Sequence, residues 1–346
     1  MTKRSRTILF YICLFLFLLA SPIAVLYSQG YRFDFSPEPG GKIITKTGGL
    51  FLKIEPRQAE IYIDGELKKK TDFLFGSSLT KDLLPKNYAV SVKRTGFWPW
   101  EKNLKINEKE VTEAKSIILF PENPAFSALS ENEKNPFLEE ESTTTAPKNI
   151  LAYQKINNDI YYLDNAGFVF RSDSSFLPKE KLNTTALSIK QKTEYELRIF
   201  PGYVFVEAGQ ILYLLNPETK SFDNFFEPAR DLKLSPDGRK IVYFSDYEIW
   251  ILFTQDIFDQ PQKKAGENLF LNRFSEKIGD IFWLNPNYLV FNTGDKIKIS
   301  EIDDRDRINI YHIGEFTNPA IKFTPANNKL YILSESEIYV SANLLP

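Results

Sequence analysis

The sequence is poor in the residues that most enzyme chemistry needs. It has one cysteine, Cys13, and one histidine, His312. Cys13 lies inside a long apolar run, so the rest of the chain holds no disulfide and its cores depend on burial alone. One imidazole and one buried-phase thiol exclude Cys/His metal sites and any mechanism that needs two histidines. No G-x-S-x-G, Walker loop or G-x-G-x-x-G occurs. The formal charge is −2 and no basic stripe is present, which argues against nucleic acid as a partner. Acids are plentiful, and folding could assemble a carboxylate pair, but the sequence selects none. No catalytic, cofactor-binding or metal-binding residue is therefore assigned, and no cofactor is expected.

What the sequence does have begins with Thr7 to Ser28, an uncharged apolar run. About 20 such residues cross ~30 Å of hydrocarbon. Lys3, Arg4 and Arg6 precede the run without an acid, and mixed charges follow it. The positive-inside rule then places residues 1–6 in the cytoplasm, anchors the chain in the lipid bilayer through residues 7–28, and exports the rest. A cleaved signal peptide is the alternative, with a small-x-small site at Ser28-Gln29-Gly30. Its apolar core is ordinarily about 7–15 residues, so length favours a retained signal-anchor. Pro22 is a candidate kink.

Residues 29–47, rich in Gly and Pro, read as an extended stalk. Residues 48–121 then alternate with period two. Leu50, Leu52 and Ile54 share one face, as do Ile61 with Ile63, and Tyr88 with Val90 and Val92, while Asp64-Gly65 marks a turn. At least five short strands in so few residues predict a small β-sandwich. Ile54-Glu55-Pro56-Arg57-Gln58-Ala59, then Ile61-Tyr62-Ile63-Asp64-Gly65, then Leu84-Pro85-Lys86-Asn87-Tyr88, then Gly96-Phe97, resemble a PEGA domain. The resemblance covers about residues 47–120. It implies a sandwich on an exported, surface-attached protein and implies no catalytic residue. Gln58 stands where the family has Gly, which implies a different turn there.

Residues 122–148 lose all periodicity. Glu139-Glu140-Glu141 and Ser142-Thr143-Thr144-Thr145 mark a solvated acidic linker. From 149 to 346 a degenerate repeat of strand, turn, strand, turn, strand sets in. Copies run over 157–173, 196–216, 231–253, 280–302 and 320–342, and the marker prolines Pro201, Pro236, Pro286 and Pro325 lie 35, 50 and 39 residues apart. Such units bury their faces by packing around an axis. The run from Ser235-Pro236-Asp237-Gly238 to Ile249-Trp250 resembles a TolB-type, WD40-like propeller repeat. The expected fold is all-β: a transmembrane helix, a PEGA-like sandwich and a β-propeller of about five blades. Ile150-Leu151-Ala152-Tyr153 is expected to complete the last blade and close the ring. Asp303 to Arg307, whose arginines and lack of Gly do not suit calcium, is expected to be an ion-paired hairpin within its blade.

Six residues stand out as candidate partner contacts. Trp98 and Trp100 cluster near a turn, where aromatics can grip a partner or a sugar ring, or else plug the end of the sandwich. Ile257, Phe258, Lys263 and Lys264 sit in a long connection after the third clear repeat strand, an apolar centre with basic residues at its rim. The following Leu269-Phe270-Leu271 doubles as a candidate fourth strand. The function expected is a non-catalytic envelope binding or scaffold module whose partner is an envelope protein or polysaccharide. An assembly or sensing factor docked on another membrane protein is the first alternative, and a propeller enzyme acting on wall polysaccharide or peptide the second.

Overall fold

The structure, a computed structural model, describes residues 3–34, 43–71, 75–130, 135–138 and 147–345. The acidic triplet 139–141, the Ser/Thr run 142–145 and the middle of the expected stalk lie outside these residues. The chain divides into two compact units, Met1–Glu122 with Asp304–Asn309, and Asn123–Asp303 with Ile310–Leu345.

The first unit opens with α1 (Lys3–Ser28), whose 26 residues span about 39 Å at 1.5 Å each. Within Arg4–Ser28 it is long and apolar enough to cross a membrane, and its most apolar stretch buries nothing against the protein. The helix stops where Gly30 turns left-handed, at φ +83, as helix C-termini commonly do. Arg32 fastens the exit. Its guanidinium lies 3.5 Å over the Tyr27 ring, donates to the Tyr27 carbonyl at 2.8 Å, and pairs with Asp82 at 3.1 Å. The stretch expected to run as an extended stalk instead folds partly on itself: β1 (Tyr31–Phe33) pairs antiparallel with β2 (Ile44–Lys46).

Seven strands follow: β3 (Gly48–Glu55), β4 (Glu60–Ile63), β5 (Glu66–Lys70), β6 (Ser77–Leu83), β7 (Asn87–Lys93), β8 (Trp100–Lys105) and β9 (Val111–Ile118). They form a three-stranded sheet in the order β6-β3-β9 and a four-stranded sheet in the order β5-β4-β7-β8. The inward residues are those that the alternation selected: Leu50, Leu52, Ile54, Ile61, Ile63, Val90 and Val92 are all buried in one cluster. Gly48 is required by space, since a Cβ there would lie 2.2 Å from the Asn107 carbonyl oxygen. Gln58, the point of departure from the PEGA pattern, has φ 62, a left-handed conformation that glycine adopts without strain.

The Asp303–Arg307 cluster does not form an ion-paired hairpin within its blade. Residues 304–309 belong to the first unit. Asp306 accepts from the Asn103 backbone N–H at 2.8 Å and Arg307 pairs with Glu101. The reason is the open edge of β8, whose backbone donors need acceptors.

The second unit is a five-bladed propeller of four-stranded antiparallel sheets. Blade one comprises β11 to β14 (Ile150–Ile156, Asp159–Asp164, Val169–Ser172, Pro178–Lys181). Blade two comprises β15 to β18 (Tyr195–Phe200, Tyr203–Ala208, Ile211–Leu215, Phe222–Phe226). Blade three comprises β19 to β22 (Asp231–Leu234, Lys240–Phe244, Glu248–Phe253, Asn268–Arg273). Blade four comprises β23 to β26 (Ile278–Asn285, Tyr288–Thr293, Lys296–Glu301, Ile310–Glu315). In blades three and four the second strands are packed on both faces, so Lys240–Phe244 and Tyr288–Thr293 are buried throughout. The Pro236-Asp237-Gly238 turn is locked by Lys240, whose nearly enclosed ammonium meets Asp237 at 2.9 Å. Burial works against the Asp237 carboxylate, but hydrogen bonds from Ser235 and Lys240 outweigh it and hold its pKa below the usual value.

Ring closure differs from expectation. The last blade consists of β27 to β29 (Ala320–Thr324, Lys329–Ser334, Glu337–Ser341) and takes its fourth strand from β10 (Phe126–Ala128), which pairs with β29. Ile150 to Tyr153 cannot serve there because they form the first strand of their own blade, paired with β12. The closing strand therefore lies inside the stretch expected to be linker.

Candidate functional site

The first strands of neighbouring blades, β11 with β15 and β23 with β27, approach one another around the ring. Their alternation sends one set of residues into the blades and the other toward the axis. Leu197, Leu232, Ile281 and Ile321 are buried. The residues on either side of them point the other way, and in blades two to four these include Glu196 with Arg198, Asp231 with Lys233, and Asp280. They join into one chain of ion pairs that crosses two blade boundaries. Arg198 pairs with Glu196 in its own strand and with Asp231 of the next blade at 3.6 Å. Lys233 pairs with Asp231 at 3.5 Å and with Asp280 of the blade after that. Lys233 is further fixed 3.8 Å over the Phe282 ring.

Above this chain opens a pocket of about 290 Å³, lined by Glu196, Arg198, Glu207, Arg230, Asp231 and Asp280, with Phe244 and Gly279 completing the wall. Arg230 is engaged by Asp246 at 3.4 Å. Glu207 is the exception. It stands in β16 directly opposite Glu196, and no hydrogen bond or ion pair from the described residues reaches its carboxylate. Burial, then the charges of Glu196 and Asp231, push its pKa to about 7, against the opposing pull of Arg198. The site thus holds one carboxylate poised near neutrality. Among the described residues no three His, Cys, Asp or Glu side chains come together to hold a metal ion.

The pocket lies where first strands begin and second strands end. The connection 254–267 and the Pro236-Asp237-Gly238 turn lie at the other ends of the strands, on the opposite face of the ring. There the candidate contacts separate. Phe258 is 79% exposed and Lys264 is exposed, while Ile257 is half-buried. Lys263 is only 11% exposed and is held by Glu267 at 2.8 Å, so it is not the free rim charge expected. The connection is a small hairpin, bridged by Ile257 and Lys263, and Leu269-Phe270-Leu271 fall in the fourth strand of the blade. Trp100 is 1% exposed in the sandwich core and cannot touch a partner. Trp98 is half-buried.

None of the pocket residues was singled out in the sequence. A usable signal did exist: aligning the first strands of the repeats stacks Glu196-Leu197-Arg198 on Asp231-Leu232-Lys233 and on Asp280-Ile281-Phe282, charge flanking an apolar centre. Glu207 carried no such signal, because the corresponding place holds Phe244 in blade three and Asn292 in blade four, so no common residue type marks it.

No family model matches the chain, and no curated protein matches it. Solved structures that resemble it include Kluyveromyces lactis Hsv2, at 10% identity and TM-score 0.35, with 84% of this chain and 72% of that one covered. The β-propeller domain of Myceliophteria thermophila Cps50 (Swd1) matches at 10% identity and TM-score 0.37, covering 74% and 92%. The extracellular domain of the putative one component system BT4673 from B. thetaiotaomicron matches at 12% identity and TM-score 0.38, covering 57% of this chain. The chain spans only 28% of the length of that last structure.

Proposed function

We propose that the chain is a non-catalytic, membrane-anchored protein of the cell envelope whose propeller is an extracytoplasmic binding module. The observation that carries this reading is the pocket at the ring axis, holding a carboxylate that no described residue pairs. Pockets with a few convergent polar groups are where small ligands are recognised, and propellers hold such a face rigid on the blades beneath. The uncharged run Thr7–Ser28 of α1, preceded by Lys3, Arg4 and Arg6 without an acid, supports an anchor with the sandwich and propeller outside. The resemblance of residues 47–120 to PEGA domains supports the same placement. The partner beyond the bilayer is an envelope protein or polysaccharide, and exposed Phe258 with Lys264 offers a second contact on the opposite face. The test is thermal unfolding of the intact chain in detergent micelles against a panel of envelope components. A compound that raises the melting temperature of the wild type but not of Asp280→Asn supports the reading. A panel without effect on the wild type counts against it.

One observation favours a second reading. Glu207, raised to about 7 by burial and by the nearby charges of Glu196 and Asp231, is a carboxyl of the kind that serves as a general acid. Release of reducing ends or free amines from wall polysaccharide or peptide, lost in Glu207→Gln, would establish an enzyme and displace the binding reading.

A further inference from the structure

We propose that the axial pocket is a receptor site for an organic cation that carries N–H donors, an ammonium or guanidinium group, with Glu207 as its principal counter-charge. This rests on the binding-module reading and adds the class of ligand.

Three features of the pocket argue for it. The first is charge. Glu196, Asp231 and Asp280 share only two cations, Arg198 and Lys233, and Arg230 is engaged by Asp246. The ion-pair chain is therefore negative by one, and ionised Glu207 adds another. Arg198, Lys233 and Arg230 each already face a carboxylate, although the buried Arg198 Nε itself has no hydrogen-bond partner among the described residues and Asp246 is shared between Arg230 and Lys277. The second is the distribution of that charge. The carboxylates are interleaved with arginines and are not gathered as metal ligands, whereas calcium needs six to eight oxygens at about 2.3–2.6 Å. An ammonium or guanidinium group carries its charge on several donors and can reach carboxylates that stand apart.

The third is that the fold does not need Glu207. Register places Glu207 opposite Glu196 in blade two, and Phe244 opposite Asp231 in blade three. In blade four the corresponding place is taken by Asn292, which accepts from the Asp280 N–H at 2.8 Å. A phenyl ring or an amide fills the position equally well. An ionisable group kept there against burial and against two neighbouring acids marks a functional site. The groups that face it are Glu196 and Arg198 from β15, Asp231 from β19 with Arg230 before it, and Asp280 from β23; its neighbour on β17 is the apolar Leu212. A pocket of about 290 Å³ admits a short-chain amine, free or at the tip of a peptide side chain.

The experiment is titration calorimetry of the full chain in detergent micelles. Agmatine, which carries both cationic groups, stands for a free amine, Gly-Lys-Gly for a peptide side chain, and succinate for an anion. With Glu207 titrating near 7, its ionised fraction falls about 30-fold between pH 8 and pH 5.5. Saturable binding of agmatine or Gly-Lys-Gly at pH 8 is expected, weakening tenfold or more at pH 5.5, with no binding of succinate. Glu207→Gln is expected to weaken the pH 8 binding to the same extent and to abolish the pH dependence. Cation binding that is insensitive to pH and to Glu207→Gln overturns the assignment of the site. If neither cation binds while a neutral or anionic compound stabilises the wild type in the thermal panel, the cation class falls and the binding reading stands. If neither cation binds and the panel is silent, both fall together.

Discussion

Glu207 makes a claim about stability that needs no ligand. In the unfolded chain its carboxyl has the usual pKa, near 4.5, and in the propeller it sits at about 7. The folded state therefore binds more protons than the unfolded state between these values, and stability falls as pH rises through that window. Above pH 7 the full penalty applies; below about 4.5 none does. Unscreened, the difference corresponds to about 3 kcal/mol. The group is half-buried beside a water-accessible pocket, so screening reduces this to about 1–2 kcal/mol. Glu207→Gln keeps the shape and removes the charge. It is expected to stabilise the chain by that amount at pH 8, raising the melting temperature by about 2–6 °C for a unit of this size, and to change nothing at pH 4.5. The assay is thermal unfolding of wild type and variant in detergent at both pH values. A variant equally stable to wild type at pH 8, or less stable at both, would refute the account of the pocket as an over-charged site.

Three further outcomes follow from the packing. Replacing Phe126-Ser127-Ala128 with three glycines removes the closing strand and the contact of Phe126 with Phe316, whose rings lie 5.1 Å apart; chemical denaturation should show a loss of about 2–4 kcal/mol, and an unchanged curve would contradict closure by β10. Trp100→Ala should cost about 3–5 kcal/mol, while Phe258→Ala should stay within about 0.5 kcal/mol; comparable losses in the two would reverse their assigned places. Lys240→Met leaves Asp237 without its cation and should destabilise by about 1–3 kcal/mol at pH 7. Because the Asp237 pKa is depressed on folding, the pair contributes above the usual aspartate pKa and is lost as pH falls through the folded value, so the gap between wild type and Lys240→Met should close in acid.

The large features were legible because each has a period. The uncharged run became α1, the period-two faces of β3, β4 and β7 became the sandwich core, and the repeat with its marker prolines became the blades. What stayed hidden lacks a local signature. β10 is three residues long and sits in a stretch rich in Pro and polar residues; only the need of the last blade for a fourth partner calls it into a strand. The charges at 303–307 read as a hairpin because their partners, on β8, lie some 200 residues earlier in the chain. Lys263 reads as a rim charge because nothing in the sequence tells that Glu267 folds back to meet it. The axial pocket combines residues from the beginnings of three strands and the ends of two others, and its carboxylates are each unremarkable alone among 45 acids. Only the closed ring brings them within reach of each other.

The central claim is that an anchored propeller presents its axial pocket outside the membrane. Cysteine labelling tests it in one step. In a Cys13→Ser background, Asp280→Cys places a single thiol at the pocket, where the native side chain is 42% exposed. A membrane-impermeant maleimide added to intact cells should label this protein fully, and the labelled chain should stay with the membrane fraction at the mass of the uncleaved sequence. Labelling that appears only after the cells are lysed would contradict the claim.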